Sequence, residues 1–97
     1  MKNFDEIKST IEEHKSVLKK TFKVKSMAIF GSYLRREQDK DSDIDILVEF
    51  YETIDLFEFM GLENYLSEIL NNKVDLVMKD TLKPRIKDRI LREAVAL

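Results

Sequence analysis

Gly31-Ser32-Tyr33-Leu34-Arg35-Arg36, then a polar stretch, then Ser42-Asp43-Ile44-Asp45-Ile46-Leu47-Val48: this segment joins a glycine-serine turn to two carboxylates that alternate with apolar residues. Successive side chains of a β-strand point to opposite faces, so Asp43 and Asp45 share one face while Ile44, Ile46 and Val48 occupy the other. One face is chemical and the other is core. Two residues along a strand are roughly 6.5 to 7 Å apart, close enough for their carboxylates to converge on metal ions spaced ~3.5 to 4 Å. Like charges held that close raise each other's pKa unless a cation sits between them, and a divalent metal is the simplest reason for the pair.

Working outward, Met27-Ala28-Ile29-Phe30 is a buried apolar strand that turns at Gly31-Ser32 into a short helix with Ser32 as its N-cap, and Ile44 to Phe50 forms the next strand. Upstream, Asn3 and Glu6 have capping-box spacing. Phe4, Ile7, Ile11, Leu18 and Phe22 fall on one stripe, which predicts an amphipathic helix from about Phe4 to Thr21. Downstream, Asp55 with Glu58 opens a helix to about Leu70 that Asn71-Asn72 ends. Val74 to Met78 is a third strand with Asp75 and Val77 on one face, and Pro84 starts a closing helix expected to bury Ile86, Ile90, Ala94 and Leu97. Helices alternating with strands give an α/β or α+β fold, a small mixed sheet flanked by helices.

Composition narrows the chemistry. Ninety-seven residues suffice for a single domain over 1–97 with one modest core and leave no room for a second substrate-binding domain. There is no run of 18 apolar residues and no signal-peptide core at Met1-Lys2-Asn3-Phe4-Asp5, so the expected location is the cytoplasm, away from membranes. No cysteine and one histidine exclude disulfides, thiolate sites and multi-histidine zinc sites, which leaves hard oxygen ligands and hence Mg²⁺ or Mn²⁺. A net charge of −2 gives no general attraction to nucleic acid, so direct nucleic-acid binding is not expected.

Gly31 and Ser32 can bring backbone N–H groups and a hydroxyl against phosphate oxygens at a helix start. Taken alone, a Gly-Ser turn is also an ordinary capped turn. An isolated Asp-x-Asp is equally consistent with solvent-facing strand or turn residues. The combination is more telling: aspartate, disfavoured in strands, occurs twice on one face of an apolar segment, and Asp75 repeats the oddity inside Val74-Asp75-Leu76-Val77. Three carboxylates facing two Mg²⁺ ions leave a net positive centre suited to a tetra-anionic triphosphate.

Gly31-Ser32, Arg35, Ser42-Asp43-Ile44-Asp45 and Val74-Asp75-Leu76-Val77 together resemble the DNA polymerase β-like nucleotidyltransferases, and most closely their minimal nucleotidyltransferase (MNT) branch. The resemblance spans nearly the whole chain, to a closing Arg92-Glu93-Ala94-Val95. It implies Gly31 and Ser32 as the phosphate-binding turn, Arg35 as a nucleotide phosphate contact, and Asp43 and Asp45 as ligands of both Mg²⁺ ions. Asp75 becomes the third catalytic carboxylate, which ligates the metal nearer the attacking hydroxyl and accepts its proton. Members commonly act as antitoxins of HEPN ribonuclease toxins, transferring AMP from ATP to a tyrosine of the toxin, so the implied partners are ATP and a HEPN toxin, in a homo- or hetero-oligomer. The chain departs from the pattern at Arg36, where members usually carry glycine. Two alternatives stay open: a non-catalytic antitoxin that blocks its toxin by contact, and a transferase acting on a small molecule such as an aminoglycoside.

His14, between Ile11 and Leu18, reads as a packing histidine, and Tyr33, Tyr51 and Tyr65 as packing or surface residues. From Lys83 to Glu93, Lys83, Arg85, Lys87, Arg89 and Arg92 outnumber Asp88 and Glu93. Such a run is usually a solvated helix face. Phe57, Phe59 and Met60 are expected to be mostly core, with one of them open to a partner.

Overall fold

In the computed structural model, residues 3–31 and 43–97 are described. Helices α1 (Phe4–Glu13) and α2 (Lys15–Lys20) lead into strand β1 (Val24–Phe30); β2 (Ile44–Phe50) follows, then α3 (Leu56–Leu70), β3 (Val74–Met78), a 3₁₀ turn (Lys79–Thr81), α4 (Pro84–Glu93) and a short β4 (Val95–Ala96). The four strands form one mixed sheet in the order β3-β2-β1-β4, with β2 and β3 parallel and β1 antiparallel to both neighbours. Among the described residues no helix is long and apolar enough to cross a membrane.

The core lies on one face of the sheet. Ile29, Ile44, Ile46, Val48, Val74 and Leu76 from the strands meet Ile7, Ile11, Leu18, Leu62, Leu66 and Leu70 from α1, α2 and α3 in one buried cluster. This is the face that alternation assigns to Ile44, Ile46 and Val48, and burying each such side chain contributes roughly 1.5 to 3 kcal/mol. Asp45 and Leu47 alternate onto the opposite face, where Asp45 borders a cleft together with residues of α4.

Several local signals act as read. The Asn3 side chain accepts from the Glu6 N–H at 2.9 Å. Asp55 and Glu58 form a reciprocal capping box at the start of α3, and Asn71 ends that helix in the left-handed conformation at φ 49°. Lys23 bridges Glu52 at 2.9 Å and Glu58 at 3.3 Å, tying the entry of β1 to the first turn of α3. Hydrogen bonds first to Glu52 and then to Glu58 hold its ammonium above the ordinary lysine value.

Three expectations are corrected. The first helix does not run unbroken to Thr21; it breaks at His14. There the ring Nδ1 donates to the Thr10 carbonyl at 2.8 Å, and the His14 N–H bonds to Ile11 O at 3.1 Å. The side chain has taken the acceptor that the regular i−4 backbone bond would use. His14 packs edge-on to Tyr65 at 5.8 Å, and Tyr65 stacks on Phe22 at 5.1 Å, so both behave as packing residues. The closing helix stops at Glu93 and buries none of its residues. The chain after it forms β4 instead, pairing Val95 with Ile29 and Ala96 with Ala28, and Leu97 reaches the core from there. On α3, Phe59 packs against the core, whereas Leu56, Phe57 and Met60 all face solvent, Phe57 at 83% exposure.

Candidate active site

The strand registers build the site. In β1 and β2 Phe30 pairs with Asp45, and in the parallel β2–β3 ladder Asp45 pairs with Asp75. Phe30, Asp45 and Asp75 therefore stand in one row across three strands on the face away from the core, and adjacent strands are ≈ 4.8 Å apart. Two carboxylates that lie 30 residues apart in sequence become neighbours.

Gly31 ends the row. Its φ of +79° lies in the left-handed region, and a Cβ built there would collide with the Asp45 carboxylate. Glycine is thus required twice over: by backbone conformation and by the close approach of the Asp45 side chain. Gly31, Asp45 and Asp75 line a cavity of about 350 Å³ with Phe30, Val77, Leu82 and the inner residues of α4, which are Ile86, Arg89, Ile90 and Glu93.

β3 is an edge strand whose outward N–H groups need acceptors, and α3 supplies them. The Val74 N–H donates to Ser67 Oγ at 3.0 Å, and the Leu76 N–H donates to Glu63 Oε2 at 3.0 Å. Asp75 lies between these two pegs, so α3 fixes the strand segment that presents it. Glu63→Ala leaves the Leu76 N–H without its carboxylate, and unfolding in urea should show a loss of about 1 to 3 kcal/mol. Glu63→Gln keeps an acceptor and should lose less.

Of the residues read from sequence, the structure brings Gly31, Asp45 and Asp75 together. Asp43 precedes β2 and pairs with Lys73 at 3.7 Å, and it does not line the cavity. Ser32, Arg35, Arg36 and Tyr33 lie outside the described residues, as does the short helix expected after Gly31. Among the described residues no three carboxylate or histidine side chains are grouped as a ready metal site. The donor chemistry nonetheless fits a hard divalent cation: two register-paired carboxylates border an open cleft, with the bare Cα of Gly31 beside one of them. A set of three requires Asp43 to turn from Lys73 to the cleft.

Sequence reading missed Glu63 and Ser67, whose importance depends on the packing of α3 against β3; it placed Ile86 and Ile90 of α4 in the core, and read Arg89 and Glu93 as part of a solvated helix face. The remaining tyrosine, Tyr51, donates from its hydroxyl to Lys19 O at 2.8 Å.

The nucleotidyltransferase domain model matches residues 11–97. A Methanocaldococcus jannaschii protein provisionally named a protein adenylyltransferase is 55% identical over 96 residues, covering 98% of each chain. The protein adenylyltransferase MntA of Thermococcus cleftensis is 46% identical over 95 residues, covering 98% of this chain and 96% of its own. A solved structure provisionally described as a minimal nucleotidyltransferase superposes with a TM-score of 0.82 at 32% identity, covering 99% of this chain and 97% of that one. The MNT antitoxin solved in complex with a tri-AMPylated HEPN toxin of Shewanella oneidensis shares the fold at a TM-score of 0.66 and 22% identity, over 93% of this chain and 70% of that one. With its mixed sheet, its glycine turn and its paired strand carboxylates, the chain belongs to the nucleotidyltransferase domain family, in its minimal nucleotidyltransferase branch.

Proposed function

We propose that this chain is a protein adenylyltransferase that moves AMP from ATP to a tyrosine of a HEPN ribonuclease toxin and thereby acts as its antitoxin. The observation that carries the reading is the pairing of Asp45 with Asp75 beside Gly31, in a cleft open to a nucleotide. The adenylyltransferase names of relatives 46% and 55% identical support the activity. The toxin complex of the Shewanella antitoxin supports the choice of acceptor.

In this reaction the tyrosine hydroxyl oxygen attacks the α-phosphorus in line, the bond from that phosphorus to the bridging oxygen breaks, and pyrophosphate leaves with the electron pair. Asp75 accepts the hydroxyl proton, since it is solvent-exposed on the edge strand where an acceptor protein can approach. Gly31 and Ser32 hold phosphate oxygens through backbone N–H groups, and Arg35 contacts phosphate. Asp43, Asp45 and Asp75 would hold Mg²⁺, which when bound supplies charge neutralisation at phosphate and a lowered pKa for the attacking hydroxyl. The protein needs no nucleophile of its own, in keeping with its lack of cysteine.

One observation favours a second reading. Asp43 is engaged by Lys73 rather than gathered with Asp45 and Asp75, as suits an antitoxin that only binds. Co-expression with a cognate HEPN toxin, followed by mass spectrometry of that toxin, separates the two. AMP adducts on a tyrosine support the transferase. A stable complex with an unmodified HEPN protein supports the binding antitoxin.

A further inference from the structure

We propose that Arg89 of α4 binds the β- and γ-phosphates of the nucleotide and the pyrophosphate that leaves; the inference rests on the nucleotidyl-transfer reading of the cleft and adds a phosphate ligand to it. α4 leaves the β3 edge of the sheet and delivers the chain to β4 at the other edge, so it must cross the carboxylate face. Its cleft-lining residues are Ile86, Arg89, Ile90 and Glu93, which have i, i+3, i+4, i+7 spacing and form a single helical stripe. A helix that merely packs on a sheet fills that stripe with apolar residues and buries them. This one puts a cation and an anion in the stripe and buries nothing.

Arg89 is the one cation among the described residues that line the cavity, which Asp45 and Asp75 line from the sheet and Glu93 from the same helix. A tetra-anionic triphosphate whose α-phosphate sits at the carboxylates needs a second positive group at its far end. A guanidinium supplies it with a planar fork of donors matched to phosphate oxygens. The position along α4 is also suitable. Glu93 is followed by Ala94 and then by Val95 paired to Ile29, so the last turn of α4 stands beside the Gly31 end of β1. Arg89 is one helical turn back from Glu93, roughly 6 Å along the axis.

The existing restraint on Arg89 is slight. Its Nε lies 3.5 Å from Glu93 Oε1, and its side chain is 66% exposed. An exposed i,i+4 pair of this kind holds the guanidinium over the cleft and yields readily to a phosphate. The ordinary account, a surface pair with no ligand, leaves unexplained why this pair borders the cleft while Arg85, Lys87 and Arg92 of the same helix do not.

The test is titration calorimetry with Mg²⁺, a non-hydrolysable ATP analogue and AMP, on wild type, Arg89→Ala, Arg89→Lys and Arg92→Ala. Arg89→Ala should weaken the ATP analogue roughly 10- to 100-fold, the range for losing one charge-assisted contact, and leave AMP within about 2-fold. Arg89→Lys should recover part of the loss, and Arg92→Ala should match wild type. Equal weakening of ATP analogue and AMP, or no weakening of either, overturns the inference. Because the readout is affinity without chemistry, a wild type that binds nucleotide but transfers nothing removes the transferase reading while this contrast still decides the role of Arg89. A wild type that binds neither nucleotide overturns both.

Discussion

Asp45→Asn should abolish nucleotidyl transfer while leaving the protein folded. Asp45 stands between Phe30 and Asp75 in the ladder, on the face away from the core, so the substitution removes a charge without removing packing. The neutral amide binds a divalent cation poorly, and metal stabilisation of the transition state amounts to several kcal/mol. At one decade per 1.36 kcal/mol, the rate should fall by at least roughly a thousandfold. With the core side of β2 untouched and the two side chains nearly the same size, the melting temperature should stay close to that of wild type. Pyrophosphate release and a thermal melt measure the two quantities, and a variant that loses both activity and fold would show Asp45 to be a structural residue.

Gly31→Ala should have the second largest effect, and by a different route. The left-handed backbone at φ +79° costs an alanine about 1 to 2 kcal/mol, and the added methyl meets the Asp45 carboxylate. Either the turn or Asp45 must shift, and a displacement near 1 Å at reacting groups can cost roughly a hundredfold in rate. The expected variant melts several degrees lower and transfers AMP far more slowly. A lower melting temperature with undiminished rate would separate the turn from the chemistry. The contrast with Asp45→Asn, inactive but stable, is what distinguishes a residue that makes room from one that supplies charge.

Much of this site could be read before the fold was seen, because its signals are local. Alternation in Asp43-Ile44-Asp45-Ile46-Leu47-Val48 sorted the residues of β2 onto two faces. The strand bounds Ile44–Phe50 and Val74–Met78 followed from apolar runs ended by turn residues. The capping box at Asp55 and the left-handed Asn71 bounded α3 in the same way. What local pattern cannot supply is register. That Asp75 meets Asp45 depends on a parallel ladder joined through α3, and on the bonds from Val74 and Leu76 to Ser67 and Glu63.

The misread elements have equally specific causes. His14 broke the first helix by a side-chain bond to Thr10 that competes with the backbone, which the apolar stripe around it concealed. Ile86 and Ile90 of α4 were read as core because periodicity reports that a helix has an apolar face, not what that face meets. Here Ile86 and Ile90 border the cleft. β4 is two residues long and has no pattern of its own; it exists because β1 presents an unpaired edge beside the end of α4.

The most direct test of the central claim is transfer from α-phosphate-labelled ATP, with Mg²⁺, to a cognate HEPN toxin, comparing wild type with Asp43→Asn and Asp45→Asn. The carboxylate-face account predicts label on the HEPN protein with wild type and none with either variant. Label at the wild-type level with Asp45→Asn, or a tight complex that never acquires label from wild type, would contradict it.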